Sequence, residues 1–570
     1  MTARGKFVVT LLILGIVGFG GWKWFEKFSQ KNPPPSMTQA SAPGSTQSSA
    51  KLNQASSSTQ AAGDAAQLAS ALEETLSEPP KLAAPGVYQA KGNVVELELS
   101  EYAGYAGLIV ANGGLEPSEN SQFFKKHGFK VKITLSEEES WSSLNSGKIA
   151  ASATTVDVLA IFGRQYQGVV PAQIGYSRGA DGVVVRKEIK RINNLKGKIL
   201  ATAQFTEADF FIRYLAQEAG LGVRMLPDLK TTPDPEKVNL VFCKDAFAAG
   251  DLFLKDIKDG LKVLAGCVTW APKTSQVAQD SGGQAHILAT SLNLLIIADI
   301  LTVNKGFAQQ NPDKVAGLVS GLLEGNRLVR DNPSAWLELI GKAFKWDREK
   351  TKAELAKVHL ANLPENLAFF SGSIDSAGSF NGIYQSSIYA YGSELIKDPV
   401  DGDRFVDQKP LQALDQAGAF KEQKVSIAPI KSATAGTIEG NPLLSKDIRF
   451  LFEPNSAKLQ LDARDNQKNL DAIRQLLQVS PGSTILLRGH VDNAMVEDFR
   501  KQGGDAFVRQ MALKATELSK NRAGEIKRLL MEKFKVDASR LDTIGRGWEE
   551  PLGKDNEQNR RVEAQWFTVE

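Results

Sequence analysis

Hydrophobic and polar positions divide the chain into four stretches of different pattern. An uncharged apolar run, Phe7 to Trp22, follows Arg4 and Lys6, and Lys23-Trp24-Phe25 gives it an amphipathic exit. A spanning helix needs roughly 17 to 25 residues, and Trp24 and Phe25 extend this short run at an interface. No small-x-small cleavage site follows directly, so the pattern predicts an uncleaved transmembrane signal anchor over residues 1–28. Ser, Ala, Gln, Thr and Pro then dominate with almost no aromatic residue, which predicts a disordered linker over residues 29–88. Within it, Leu68, Leu72 and Leu76 space one brief helix over Ala65 to Leu76.

From Val94 onward, short apolar runs alternate with stretches of helical period, the pattern of an α/β domain, here spanning residues 89–430. Strands are predicted at Val131 to Leu135, Ile149 to Ala153, Gly182 to Val185 and Ile199 to Ala203. Helices are predicted at Glu207 to Ala219 and at Pro312 to Val329, the second capped by Asn311 with Pro312 in its first turn and Asp313 complementing its dipole. The last stretch, residues 440–570, carries an apolar strand, Leu486-Leu487-Arg488-Gly489-His490, that delivers Asp492 at its carboxyl end. Leu518-Ser519-Lys520-Asn521-Arg522-Ala523 follows on a long helical pattern, and Asn559-Arg560-Arg561-Val562 opens a final strand.

Composition removes several function classes. The 68 basic and 65 acidic residues leave +3, with no basic block interleaved with aromatics, so nucleic acid is excluded as a partner. Two cysteines, Cys243 and Cys267, make neither a metal cage nor a disulfide scaffold, and they either pair or remain buried thiols. His127, His286, His359 and His490 are scattered, and no Ser/His/Asp order or phosphate loop appears. Glu137-Glu138-Glu139 and Glu549-Glu550 read as solvated faces. No catalytic residue, metal or cofactor is expected.

The three C-terminal signatures resemble an OmpA-like peptidoglycan-binding domain. Ile448-x-Phe450-x-Phe452 with Asn455-Ser456-Ala457-x-Leu459 is similar to that family's first strand and turn. Val536-Asp537-Ala538-Ser539-Arg540-Leu541 and Gly545-x-Gly547-Trp548-x-x-Pro551 resemble its last helix-to-strand passage. The resemblance implies a βαβαβ domain that grips the diaminopimelate of a stem peptide. Asp492 then takes the ammonium and Arg522 the carboxylate, because a guanidinium fork matches a carboxylate bidentately. It further implies a second basic contact from Arg560, with Asn493 and Asn455 completing the site. Two departures stand out: Ala494 to Met511 lengthens the loop after Asp492, and Ala515 replaces an asparagine. His490 is expected to be a packed strand-end histidine.

A second resemblance covers Val94 to Phe344. Tyr102-Ala103-Gly104-Tyr105, Leu144-Asn145-Ser146-Gly147-Lys148 and Ser177-Arg178-Gly179-Ala180-Asp181-Gly182 resemble the nitrate/sulfonate/taurine group of periplasmic solute-binding proteins. Asn194-Leu195-Lys196-Gly197-Lys198, Val268-Thr269-Trp270-Ala271-Pro272 and Asn311-Pro312 continue it. This implies a type 2, two-lobed fold, joined through Asn194 to Lys198, with a small polar or anionic solute in the cleft. By position the lining candidates are Tyr102, Tyr105, Thr154, Thr155, Arg178, Thr206 and Trp270. Thr206-Glu207-Ala208-Asp209 also reads as a capping box, Arg178 as a hinge-side ion pair, and the aromatics as core, and these roles stay open here.

The expectation is therefore a non-enzymatic, single-pass inner-membrane protein of a Gram-negative-type bacterium with its bulk in the periplasm. Peptidoglycan, a solute and a transporter or envelope complex are the expected partners. The alternatives are a structural envelope tether whose solute fold binds nothing, and a thiamine-precursor-type enzyme.

Overall fold

The computed structural model describes residues 68–136, 140–374, 378–427, 443–453, 456–480, 482–553 and 556–567. The chain lays down β1 (Val94–Ser100), β2 (Lys130–Ser136), β3 (Ala151–Thr155) and β4 (Gly168–Ser177) in one lobe. It then crosses to a second lobe for β5 (Asp181–Arg186), β6 (Ile199–Ala203), β7 (Gly222–Met225), β8 (Lys237–Cys243), β9 (Gly266–Trp270) and β10 (Ala285–Thr290), and returns for β11 (Ala298–Asn304) and β12 (Val358–Leu360). Each lobe holds a six-stranded sheet, ordered β12-β4-β11-β3-β1-β2 and β10-β5-β9-β6-β8-β7. The central strands β3, β6, β9 and β11 are buried along their whole length, with no alternation of buried and exposed positions.

The two crossings are sewn together. Ser177 and Ser291 share a hydroxyl hydrogen bond of 2.6 Å, Gly179 N–H donates to Ser291 Oγ (3.0 Å), and Ser291 N–H donates to Asp181 O (2.9 Å). Gly179 takes φ +108°, a conformation L side chains rarely adopt. The junction thus runs through Ser177–Asp181, and not through Asn194 to Lys198 as expected. That segment lies inside the second lobe, as the 3-10 turn Ile192–Leu195 leading into β6.

Helix α1 (Val156–Phe162) starts from the end of β3, and α2 (Glu207–Glu218) from the turn after β6. In α3 (Pro312–Asp331) Asn311 holds the cap position, but its side chain caps nothing there; Asn311 Nδ2 instead donates to Phe307 O at the end of the preceding helix (3.2 Å). Helix α4 (Phe380–Leu395) packs on both α1 and α2 and bridges the lobes. Its Ser387 hydroxyl donates to Asp157 O (2.8 Å) on one side, and Tyr391 Oη to Thr206 O (3.4 Å) on the other.

Residues 68–88, expected to belong to the disordered linker, form an ordered strap across both lobes. Leu68 is fully buried in the core of the second lobe, beside the single 3-10 turn Ala69–Ala71 that stands where a brief helix was expected. Glu73 N–H donates to Phe242 O (2.9 Å), and Leu76 exchanges two hydrogen bonds with the Gln204 side chain (2.9 and 2.7 Å). On the first lobe, Gln165 holds Pro80 O and Leu82 N (3.1 and 2.8 Å), Asn145 Nδ2 donates to Ala83 O (2.8 Å), and Asn304 Nδ2 to Gly86 O (2.9 Å). Amides reaching from the lobes satisfy the strap's backbone where no strand could pair with it. The residues before it, including the expected anchor, lie outside the described part. Among the described residues no helix is long and apolar enough to cross a membrane.

Among the described residues the C-terminal domain has four strands, one more than the expected βαβαβ. They are β13 (Leu444–Ile448), β14 (Thr484–Gly489), β15 (Leu541–Gly545) and β16 (Val562–Phe567), ordered β13-β16-β14-β15. The first strand sits upstream of the expected Ile448 to Phe452, because Leu444 to Ile448 is what pairs with β16. Helix α5 (Arg464–Val479) buries Leu470, Ile473, Leu476 and Leu477 on one face at helical spacing. Helix α6 (Val496–Phe534) contains most of the expected loop Ala494 to Met511, broken by non-helical angles at Gly503 and Gly504.

This domain is docked on the second lobe. Asn193 exchanges hydrogen bonds with Ser445 N and O (2.9 and 3.0 Å), Ile192 N–H donates to Leu443 O (2.9 Å), and Lys446 pairs with Glu218 (3.4 Å). Leu295, between β10 and β11, donates to Val479 O at the end of α5 (2.8 Å).

Candidate functional site

The C-terminal pocket is set by how closely α6 approaches the sheet. Gly489, Gly545 and Gly547 present no side chain to it; a Cβ on Gly489 would lie 2.0 Å from Ser519 O, and one on Gly545 2.2 Å from Thr516 O. Ser519 Oγ accepts from Gly547 N–H (3.0 Å) and closes this seam. Arg522, three residues further along α6, is thereby carried to the end of β14, where Asp492 emerges.

Asp492, Arg522 and Arg560 line one cavity of about 470 Å³ with Phe452, His490 and Arg561. Arg560 Nε lies 3.3 Å from Asp492 Oδ2, and Asp492 Oδ1 accepts from Ala494 N–H (3.1 Å). Arg522 Nε donates to Ser456 O (3.1 Å), and its guanidinium sits 5.0 Å from the Phe452 ring centre. Burial, and then the like charge of Arg560, push the Arg522 pKa down, with Asp492 opposing them. The same cavity is also lined by Arg449, Arg561 and Glu453, so guanidiniums outnumber carboxylates around it. Asn493 is exposed beside the pocket and uses its backbone carbonyl to accept from Val496 N–H (3.1 Å); Asn455 lies outside the described residues. Sequence reasoning missed Phe452 as the surface under Arg522, although the Phe450-x-Phe452 alternation marked it as inward-facing.

Behind the pocket a charge network fixes β14 and β16. Arg488 reaches Glu563 (2.8 Å) and grips both oxygens of Glu550 (2.9 and 2.7 Å). Burial raises the Glu563 pKa, but hydrogen bonding to His490 and the charge of Arg488 outweigh it and bring the carboxyl down to about 2. His490 is buried, as a packed strand-end residue would be, and also lines the pocket.

Between the two lobes, the expected solute-binding residues separate into groups. Tyr102 meets Tyr105 edge-on at 5.2 Å and Trp270 at 6.4 Å, and Trp270 packs on Phe247 at 4.5 Å. Thr155 ends β3 directly opposite Asp299 of β11, and Trp270 ends β9 directly opposite Asp181 of β5. Arg178 lies in the hinge, its Nε donating to Leu292 O (2.6 Å) and its backbone N–H to Lys357 O (2.8 Å). Thr206 holds the cap position of α2 without a side-chain cap; its hydroxyl donates to Ala203 O (2.9 Å). Asp209 therefore closes no capping box, and accepts from Phe205 N–H (3.1 Å) and Arg213 Nε (2.7 Å).

The buried carboxylates Asp157, Asp181 and Asp299 were missed by sequence reasoning. Their signal was present, since Asp299 is the single charge in the apolar run Leu294 to Val303, and Asp157 is alone in Val156 to Phe162. Burial pushes the Asp181 carboxyl up to about 6, against hydrogen bonds from Ser177 and from its own backbone. The Tyr102 hydroxyl is raised by burial and then by the fields of Asp299 and Asp181, which places it beside both. Trp270 also lines a cavity of about 450 Å³ that opens between the lobes, with Glu101 and Phe344 from the first and Lys244, Phe247 and Lys273 from the second. Cys243 and Cys267 are buried thiols and not a disulfide, and burial raises the first to about 12 and the second further. Among the described residues no cluster of metal-ligating side chains occurs.

Residues 451–565 match the OmpA family, so an OmpA domain stands at the C-terminal end of this chain. Over 148 residues the chain is 26% identical to the outer membrane protein Omp38 of Acinetobacter baumannii strain ATCC 17978, covering 25% of this chain and 36% of that protein. Against Omp38 of strain ATCC 19606 it is 27% identical over 127 residues, covering 21% and 30%, so the chain spans well under half the length of either curated relative it matches. Solved structures similar to it include the alkanesulfonate-binding protein SsuA from Xanthomonas axonopodis pv. citri bound to MOPS (TM-score 0.42, 13% identity, 56% of this chain and 99% of that one). A further one is the periplasmic nitrate-binding protein NrtA from Synechocystis PCC 6803 (TM-score 0.41, 14% identity, 59% and 90%).

Proposed function

We propose that this chain is an envelope protein that grips peptidoglycan through its C-terminal domain and a small solute between the lobes of its middle domain. In this reading, residues 1–28 anchor it to the inner membrane and leave the bulk in the periplasm. The observation that carries the reading is the convergence of Asp492, Arg522 and Arg560 in one cavity at the end of β14. A diaminopimelate centre offers an ammonium and a carboxylate on one carbon. Its ammonium replaces Arg560 at Asp492, and its carboxylate then lies between the two guanidiniums. Both modules bind, and no reaction is assigned to either.

Co-sedimentation with purified diaminopimelate-containing peptidoglycan tests the pocket. Arg522→Ala removes one charge-assisted contact, worth about 1.5–3 kcal/mol, and is expected to weaken binding about tenfold to a hundredfold. Arg522→Lys keeps the charge but loses the fork, and should recover only part. Undiminished sedimentation of a folded Arg522→Ala variant would reject this pocket.

A second reading, a structural envelope tether whose solute-binding fold no longer binds a ligand, is favoured by one observation: the strap at residues 68–88 and helix α4 each hold both lobes. A solute-induced upward shift in melting temperature would decide for the receptor, because a ligand of the folded form stabilises it by mass action.

A further inference from the structure

A groove of about 970 Å³ opens where three helices meet: α2 of the second lobe, α4, and α5 of the C-terminal domain. Its charges cancel locally. Lys446 pairs with Glu218 (3.4 Å), and Arg474 Nε lies 3.6 Å from Asp471 Oδ1. Among the described residues that line it, these four are the only charged ones, and no aliphatic side chain is larger than alanine. A charged ligand therefore meets no uncompensated charge in the groove, and a docking protein meets no apolar anchor.

What the walls do offer is neutral hydrogen-bonding capacity. Gln217 of α2, Gln385 of α4 and Gln475 of α5 all line the groove, and their side chains form no hydrogen bond among the described residues. Asn381 and Ser386, by contrast, are engaged, with Asp403 (2.7 Å) and Gly382 O (2.8 Å). Each free amide carries two donors and an acceptor. One turn beyond Gln385, on the same face of α4, stands Tyr389. It is 74% exposed, the most exposed aromatic side chain among the described residues, and it lines the same groove.

We propose that this groove binds an uncharged oligosaccharide, one sugar ring laid on Tyr389 and the hydroxyls of its chain taken by the amides of Gln217, Gln385 and Gln475. The groove is separate from both sites of the proposed function, so the inference goes beyond that reading and does not depend on it. A neutral sugar carries hydroxyls around its rim that each donate and accept, which suits amides better than fixed charges. Its faces carry C–H bonds, which suit the electron-rich face of an aromatic ring. The volume stands at the upper end of the roughly 300–1,000 Å³ usual for small-ligand sites, so a short chain of rings is favoured over a single one.

Calorimetry on the full chain tests it, with cellotetraose, maltotetraose, mannotetraose and the tetramer of N-acetylglucosamine set against the acidic tetragalacturonate. At least one neutral tetramer is expected to bind, and the acidic one is not. Preference for the N-acetylglucosamine tetramer points to the glycan of a wall polymer as the source, preference for a hexose tetramer to a free glycan, and either supports the proposal. Tyr389→Ala should weaken that binding about tenfold and Tyr389→Phe hardly at all. Gln385→Ala should weaken it about three- to tenfold, the loss of one neutral hydrogen bond. Both positions are exposed, so these variants are expected to fold as the wild type does. Binding of tetragalacturonate alone overturns the neutral assignment. Tetramer binding that survives both alanine substitutions overturns the placement, and silence from all five compounds overturns the inference. None of the compounds carries a stem peptide, so each of these results leaves the Asp492 pocket to its own test.

Discussion

Replacing Gly489 by alanine tests whether the spacing between α6 and the sheet sets the C-terminal pocket. The added Cβ would stand 2.0 Å from Ser519 O and 2.7 Å from Ser519 C, whereas ordinary contact begins at 3.4 Å. Both neighbours are backbone atoms, so no side chain can rotate away, and the helix or β14 has to retreat. Overpacking of this kind costs about 1–3 kcal/mol, which for a domain of this size lowers the melting temperature by roughly 4 °C per kcal/mol. Arg522 rides on the displaced helix while Asp492 stays with the strand, so the two charges move apart and a two-point ligand loses its fit. Peptidoglycan affinity is expected to fall about tenfold, the equivalent of roughly 1.4 kcal/mol. Gly524→Ala on the same helix is the matched control, because a Cβ there has no neighbour within 4 Å. It is expected to stabilise by about 0.5–1 kcal/mol through helix propensity and to leave binding unchanged. Calorimetry of the C-terminal transition together with peptidoglycan co-sedimentation reads both effects. Equal behaviour of the two variants would refute the argument from spacing.

Three further outcomes are expected. Glu563, depressed to about 2 in the folded protein, contributes stability that is present above its unfolded value near 4.5 and is lost as pH falls toward 2. Glu563→Gln should therefore be less stable than wild type at neutral pH in denaturant melts, with the gap closing between those two values; a gap independent of pH would exclude the linkage. Gln204→Ala removes both bonds to Leu76 and should speed hydrogen exchange at Leu76 while changing global stability by about 1 kcal/mol or less, whereas unchanged exchange would mean that the strap is held elsewhere. A reporter fused after the linker is expected to be active only on the periplasmic side, and cytoplasmic activity there would remove the anchor proposal.

Local periodicity made much of the fold legible. Ile199 to Ala203 is a strand and Glu207 begins a helix as read, because a buried central strand and a helix start each declare themselves within a few residues. Pro312 likewise opens a helix, but the side chain of Asn311 turned to the preceding helix, a choice that depends on tertiary neighbours. The strap was illegible because its order comes from Gln204, Gln165, Asn145 and Asn304, all distant in sequence, while its own composition is that of a linker. The helix hidden in Ala494 to Met511 had a signal in the i, i+3 pairs Glu497–Arg500 and Asp498–Lys501, overshadowed by Gly503-Gly504. For the C-terminal pocket, Asp492, Arg522 and Arg560 were each readable from motif order, and the structure brings them into one cavity. Between the lobes, motif order marked Thr155 and Trp270 but not the buried Asp299 and Asp181 directly opposite them, since a lone aspartate in an apolar run states its burial and not its neighbours.

The docking of the C-terminal domain has a thermodynamic consequence. Asn193, Glu218 and Leu295 hold it to the second lobe and to the returning crossover, while α4, which packs on both lobes, forms one wall of the groove of about 970 Å³ beside α5. If the lobes part, that groove changes shape, so the free energy of docking contains a part that depends on closure. Whatever that part amounts to, a ligand that favours the closed lobes and a wall fragment that favours the docked domain must alter each other's affinity by one and the same factor, a reciprocity measurable from either side.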